Sequence, residues 1–299
     1  MMVNPVPDLI RGDLRHHESM SLHCSWRTGG AARAYFIPAD LNDLSLYLKQ
    51  LETSESRLWL GLGSNLLVRD GGFNGHVLAL FNALNRFEID ADRVYVEAGV
   101  ACAKVARRAT QAGLVGAEFL AGIPGAMGGA LAMNAGAFGG ETWDLVAELI
   151  VLDPAGEMHR LSQSEVQRSY RHVMLPKGYG IVGAELQLTV GDVAEAQQRI
   201  KTLLAQRAAT QPTQTANAGS VFKNPPEDHA ARLIEACDLK GHRIGGASVS
   251  SKHANFIIND NQATAADIEA LILFVQQTVT AQQGIDLEPE VRIVGERAP

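Results

Sequence analysis

The spacing of apolar and polar positions divides the chain into stretches of different character. Leucines at 41, 44, 46, 48 and 51 predict a helix over residues 40–51. Residues 57–62 are an apolar run entering a glycine turn and predict a strand; residues 77–81 form a second such run, and together they suggest a small α/β unit. The pattern then changes. Residues 87–89, 93–98, 148–152, 157–161 and 181–190 carry β-branched residues in partial alternation, the mark of strands in an α+β domain of antiparallel flavour. A helix over 101–112 would close at Gly113, a residue suited to the position just past a helix end. Residues 113–140 interrupt these strands and read as one long functional loop. A connecting helix follows at 191–210, then a turn at 211–218. The last region predicts a helix at 228–237, a strand at 255–259, a helix at 265–283 and a strand at 290–294. The third of these begins with Thr264 and Asp267 in capping-box spacing and ends at Gly284. Residues 1–20 read as a polar, mobile arm. Three parts result: 1–82, 83–208 and 209–299.

Composition narrows the class. The chain has 299 residues, 46 % hydrophobic and 20 % charged, which is globular and excludes wholesale disorder. Its net charge of −7 offers no basic face to nucleic acid. Arginine supplies 19 of the 26 cations, and its fork grips carboxylates and phosphates in pairs, so an anionic small ligand stays open. Cys24, Cys102 and Cys237 are far apart, odd in number and without a CxxC. They are expected to be free, mostly buried thiols of an intracellular protein, with no metal site. Charges at Asp8, Arg11, Asp13 and Arg15 argue against a signal peptide. Residues 119–140 are uncharged, but Pro124, Asn134 and seven glycines make a poor membrane span. The expectation is a cytoplasmic protein.

Three glycine-containing segments can carry chemistry. Gly61, Leu62, Gly63, Ser64 and Asn65 follow an apolar strand, and glycines there let backbone amides turn toward an anion such as pyrophosphate. Leu66 stands where a GxGxxG fingerprint needs its last glycine, so an ordinary tight turn is the competing reading. Gly122 to Gly129, continuing through Asn134, Gly136 and Ala137 to Gly139, could lie flat against a large ligand or form a flexible surface loop. Ala218, Gly219, Ser220, Val221, Phe222, Lys223, Asn224 and Pro225 set a serine outside any GxSxG elbow. Ser220 is either a proton donor to a very basic carbanion or a turn or capping residue. Glu290 and Arg292, two apart in the predicted final strand, would share one face or form a plain surface ion pair.

Taken together, these segments resemble the UDP-N-acetylenolpyruvoylglucosamine reductase (MurB) family over nearly the whole chain. Further blocks carry the likeness: Trp26 to Gly30, Tyr170-Arg171, Gly245 to Ala247, Lys252 to Phe256 and Leu287 to Arg292. The resemblance implies an α+β protein: an FAD-binding two-subdomain fold of the vanillyl-alcohol-oxidase/PCMH type plus a C-terminal α/β substrate-binding domain. It implies non-covalent FAD between the first two parts. Its pyrophosphate would lie on Gly61, Gly63, Ser64, Asn65 and Leu66 and on the segment bearing Ile123, Pro124, Gly125, Gly128, Asn134, Gly136 and Ala137. NADPH would reduce the flavin. Reduced flavin would then reduce the enolpyruvyl ether of UDP-N-acetylglucosamine, with hydride to C3 and a proton from Ser220 to C2. Arg171 and Glu290 match the residues that polarise the substrate carboxylate, and Tyr170, Lys223, Asn224 and His253 match substrate contacts. Only 48 residues separate Arg171 from Ser220, so the chain resembles the short form that lacks a tyrosine-bearing lid insert, and the lid role is not transferred to Tyr179. The resemblance implies a monomer bound to neither nucleic acid nor membrane. An alcohol or hydroxy-acid oxidase of the same architecture would lack the Ser220 segment, and a non-catalytic flavin or nucleotide-sugar binder would not need Arg171, Ser220 and Glu290 together.

Overall fold

The structure is a computed structural model that describes residues 10–298. It divides into two compact units. Among the described residues, the first comprises 10–16, 34–61 and 75–200, the second 17–33, 62–74 and 201–298.

The first unit is built on a five-stranded antiparallel sheet in the order Met158–Ser162, Val146–Leu152, Gly180–Gln187, Arg93–Glu97, Phe87–Asp90. These are the strands that the β-branched runs predict. A four-stranded sheet has most of its residues in this unit, in the order Asp13–Ser19, Ala31–Ile37, Phe73–Ala79, Arg57–Leu60. Its last two strands are parallel, Leu58 opposite Val77. Helix α1, Leu41–Gln50, starts where the Asp40 carboxylate accepts the Asp43 amide, and it buries Leu44, Tyr47 and Leu48 against Phe36, Leu78 and Val182. Helix α2, Cys102–Gln111, ends before Gly113, as expected. The first-strand assignment corrects the reading of residues 1–20 as a mobile arm: residues 13–19 are a paired strand, and residues 1–9 lie outside the described residues.

Residues 113–140 are not one loop. A 3-10 turn spans Glu118–Gly122 and a short helix, α3, spans Met127–Ala132. Tertiary hydrogen bonds make a helix out of a poor helical sequence: the Met127 and Gly128 amides donate to the carbonyls of Val100 and Ala98, both at 2.8 Å. Phe119, Leu120, Met127 and Leu131 are buried beneath the segment, which excludes the flexible surface loop.

Helix α4, Val193–Thr210, carries the chain from the first unit into the second. There a four-stranded antiparallel sheet runs in the order Ala216–Asn217, Ile257–Asn259, Ala247–Val249, Arg243–Ile244. It packs on α5, Ala230–Ala236, and on α6, Ala265–Gln283. The capping box of α6 forms as predicted, Thr264 and Asp267 exchanging bonds of 3.0 Å, and Gly284 closes the helix with φ +69°. Two early segments complete this unit. The Trp26 indole donates to the Ile257 carbonyl at 2.8 Å, and Leu66–Val68 pairs in parallel with Arg292–Val294. The final strand therefore begins at Arg292, and the shared-face argument for Glu290 and Arg292 does not hold. Glu290 lies before the strand, and Arg292 is exposed.

All three cysteines are free and buried, as expected. Burial pushes the Cys24 and Cys102 thiols up to about 12, so neither is a nucleophile at neutral pH. Among the described residues no helix is long and apolar enough to cross a membrane, and no cluster of side chains could hold a metal ion.

Candidate active site

In the second unit the chemistry converges on one backbone clamp. Ser220 follows Gly219, whose amide donates to Asn217 Oδ1 at 3.0 Å. From Val221 onward the chain is held on two sides. The Val221 amide donates to the Asn255 carbonyl at 2.9 Å. The Phe222 amide donates to Asn255 Oδ1 at 2.9 Å, and Asn255 Nδ2 donates back to the Phe222 carbonyl at 2.8 Å. On the other side, the Glu290 amide donates to the Val221 carbonyl at 2.7 Å, and the Lys223 amide to the Glu288 carbonyl at 2.9 Å. Asn65 Nδ2 donates to the Glu290 carbonyl at 3.0 Å, and the Arg292 amide donates to the Asn65 carbonyl at 3.1 Å. Buried Val221 and Phe222 anchor the clamp in the core. Ser220, Glu290 and Asn65, remote in sequence, are thus brought together by main-chain bonds and by the short side chains of Asn65 and Asn255.

Ser220 is half-buried and caps no helix, and among the described residues its hydroxyl has no hydrogen-bond partner. Around it, Lys223 Nζ pairs with Glu288 Oε1 at 2.6 Å. Asn224 is exposed, and its Oδ1 accepts the Ala230 amide at the start of α5 at 3.1 Å, so it has a structural duty as well. His253 Nδ1 accepts the Asn255 amide at 3.3 Å, which leaves the proton of the neutral ring on Nε2. Burial, helped by the Lys240 charge, lowers the His253 pKa and keeps the ring neutral.

In the first unit the glycine-rich segment and Arg171 form a second cluster. Arg171 sits at the tip of the hairpin Gln167–Ser169 and His172–Met174 with φ +53°. Its Nη1 donates to the Asn134 carbonyl at 3.2 Å and its Nη2 to the Gly136 carbonyl at 2.9 Å. The guanidinium carbon lies 4.7 Å from the centroid of the exposed Tyr170 ring. Gly136 and Ala137 pair with Gly140 and Glu141 in a tight hairpin. Ile123 and Pro124 follow the 3-10 turn, and the Gly125 carbonyl accepts the Cys102 amide at 2.9 Å. Glu141, whose Oε2 accepts Asn134 Nδ2 at 2.8 Å, lies outside every segment that the sequence singles out, with no local motif to mark it; Gly129 lies within one of those segments.

Backbone donors for an anion exist in both units. In the second, the amides of Gly63 and Ser64 donate to no partner among the described residues. In the first, the same holds for Gly129, and a Cβ there would meet nothing within 4 Å. Gly61 is tighter, since its would-be Cβ would stand 3.2 Å from Ala126 Cβ. Gly63 is different: it holds φ +70°, and a Cβ would stand 2.0 Å from the His23 carbonyl oxygen. The fold itself demands that glycine. Leu66 is buried at the start of its strand. Open, neutral N–H groups beside glycines fit the phosphates of a dinucleotide.

An FAD binding domain matches residues 32–162, and the C-terminal domain of UDP-N-acetylenolpyruvoylglucosamine reductase matches residues 211–294. The chain is 55 % identical to a UDP-N-acetylenolpyruvoylglucosamine reductase of Methylococcus capsulatus over 96 % of its length and 94 % of that relative. It is 50 % identical to one of Legionella pneumophila over the same shares. The crystal structure of the Thermus caldophilus enzyme superposes with a TM-score of 0.81 at 31 % identity, covering 95 % of this chain and 99 % of that one. This chain belongs to the MurB family of UDP-N-acetylenolpyruvoylglucosamine reductases, FAD-dependent oxidoreductases with an FAD-binding α+β fold and a C-terminal substrate domain.

Proposed function

We propose that the protein uses NADPH to reduce the enolpyruvyl ether of UDP-N-acetylglucosamine to UDP-N-acetylmuramate, a step of peptidoglycan precursor synthesis. Family membership and the FAD-binding domain support the reaction class. The observation that carries the residue assignment is the clamp that fixes Ser220 and Glu290 through Val221. Bound FAD supplies the hydride that adds at C3 of the enolpyruvyl group. In this reading the open amides of Gly63 and Ser64 in the second unit, and independently that of Gly129 in the first, are candidate donors to its phosphates.

Addition at C3 leaves negative charge at C2, delocalised into the adjacent carboxylate. Arg171 holds that carboxylate and offsets the growing charge. Ser220 donates its hydroxyl proton to C2. A serine hydroxyl is a weak acid, and it serves only because a carbanion is a far stronger base than serine alkoxide. Glu290 helps only if it is protonated or bridged, since a bare carboxylate would repel the same charge. Tyr170, Lys223, Asn224 and His253 contact the nucleotide sugar. The same reading has the enzyme a cytoplasmic monomer.

The test separates the two half-reactions. Flavin reduction by NADPH needs no proton at a carbon centre, so Ser220→Ala leaves it intact. Reoxidation by the enolpyruvyl substrate slows by about 10²–10⁴-fold or more, the usual worth of a general acid. Ser220→Cys recovers part of the rate. Equal slowing of both steps, read in separate stopped-flow experiments, would remove Ser220 from the chemistry.

A further inference from the structure

The carboxylate of Glu141 lies at the centre of the polar contacts around Arg171. Asn134 has φ +45° and is buried, a backbone state that persists only when its surroundings impose it. Two strong side-chain bonds do so. Asn134 Oδ1 accepts the Trp143 amide at 3.1 Å, and Asn134 Nδ2 donates to Glu141 Oε2 at 2.8 Å. The second is charge-assisted and the stronger of the pair. Trp143 is itself fixed, its indole donating to the Leu131 carbonyl at 2.8 Å. The Asn134 carbonyl, held in this way, receives Arg171 Nη1, while the Gly136 carbonyl receives Nη2. A guanidinium is planar, so two anchored nitrogens fix the direction of the whole fork. The other Glu141 oxygen, Oε1, stands 3.9 Å from Nη1 and attracts the same charge.

We propose that Glu141 is a positioning residue for the reaction: through Asn134 it sets the plane of the Arg171 guanidinium. The proposal rests on the assignment of Arg171 to the substrate carboxylate. Glu141 itself touches neither substrate nor cofactor in this account. Removing its carboxylate takes away the charge-assisted bond to Asn134 Nδ2, leaving the Trp143 amide and a long contact to the Ser169 carbonyl, and so loosens the fork where an oriented cation is needed.

The experiment uses the FAD-loaded enzyme and the variants Glu141→Ala, Glu141→Gln, Arg171→Ala and the double variant Glu141→Ala/Arg171→Ala. Flavin reduction by NADPH, flavin reoxidation by the enolpyruvyl substrate, FAD affinity and affinity for UDP-N-acetylmuramate are measured separately. Glu141→Ala slows reoxidation about 10- to 100-fold, the scale of a small misplacement of a catalytic group. It weakens product binding more than FAD binding, and leaves flavin reduction in the FAD-saturated enzyme unchanged. Glu141→Gln, which keeps an acceptor for Asn134, falls between it and the parent enzyme. In the Arg171→Ala background, Glu141→Ala has no further effect, because the two residues act as one unit. An undiminished Glu141→Ala effect in that background overturns the proposal. So does a parallel fall in FAD affinity and both half-reactions, which marks a purely structural role. If Glu141→Ala does not fold, Glu141→Gln with and without Arg171→Ala decides by the same criteria. An Arg171→Ala enzyme with normal reoxidation defeats the assignment of Arg171 itself. Slow Arg171→Ala with normal Glu141 variants defeats only the role of Glu141.

Discussion

At the scale of single residues, glycines of one sequence type divide into two kinds. Gly63 is required by the protein, since any Cβ meets the His23 carbonyl oxygen at 2.0 Å and φ is +70°. Gly63→Ala therefore loses about 1–2 kcal/mol from the left-handed backbone alone, before the clash is counted. A bulky residue at Gly63 thus tests folding and not the pyrophosphate cradle. Gly129 has open space where its Cβ would be. Gly129→Val is expected to keep the fold, since valine is no worse than glycine in a helix. It is expected to weaken FAD binding by about tenfold or more, which is about 1.4 kcal/mol. Fluorescence titration of the apoprotein with FAD reads the change, and unaltered affinity removes Gly129 from the cofactor site. Nothing in the local sequence separates these two glycines. What distinguishes them is a carbonyl 40 positions away in one case and empty space in the other.

At the scale of elements, α6 shows what was legible. Its ends carry their own signals, a capping box and a left-handed glycine, and its observed bounds are those predicted. The sequence conceals a further cap. The Asp70 carboxylate accepts the Ala265 and Ala266 amides, both at 2.9 Å, placing a negative charge on the first turn. Asp70→Ala is expected to destabilise the second unit by about 1–2 kcal/mol, the loss of a cap plus its interaction with the helix dipole. Urea unfolding followed by circular dichroism measures this, and an unchanged midpoint contradicts it. Helix α3 was illegible for the opposite reason. Glycine at 128 and 129 argues against a helix, and the carbonyls of Ala98 and Val100 that start it come from a distant strand end. Glu290 lies outside the observed strand, which the pattern predicts over 290–294, because its amide pairs with Val221, far away in the chain. The candidate site was legible as a set of residue types. Its clamp was not, because its bonds join Val221 and Phe222 to Asn255 and Glu290, and Glu290 to Asn65, positions far apart in the chain.

At the scale of the whole molecule, the chain passes between its two compact units several times. The second unit takes in residues 17–33 and 62–74, and the Trp26 indole reaches a carbonyl 231 residues away. Reading along the chain does not reveal such interleaving, since apolar periodicity reports local structure and not long-range pairing. The glycine-rich segments at 61–65 and 122–139 both fall within the FAD-binding match, and the net charge of −7 is compatible with an enzyme that meets a UDP-sugar through a few placed cations. Anaerobic absorbance spectroscopy of the purified holoenzyme shows whether one protein carries electrons from NADPH through FAD to an enolpyruvyl UDP-sugar. NADPH is expected to bleach the flavin, and the enolpyruvyl ether of UDP-N-acetylglucosamine to restore its colour with formation of UDP-N-acetylmuramate. UDP-N-acetylglucosamine itself is expected to restore nothing. A flavin that NADPH does not bleach, or that stays reduced in the presence of the enolpyruvyl ether, would contradict the account.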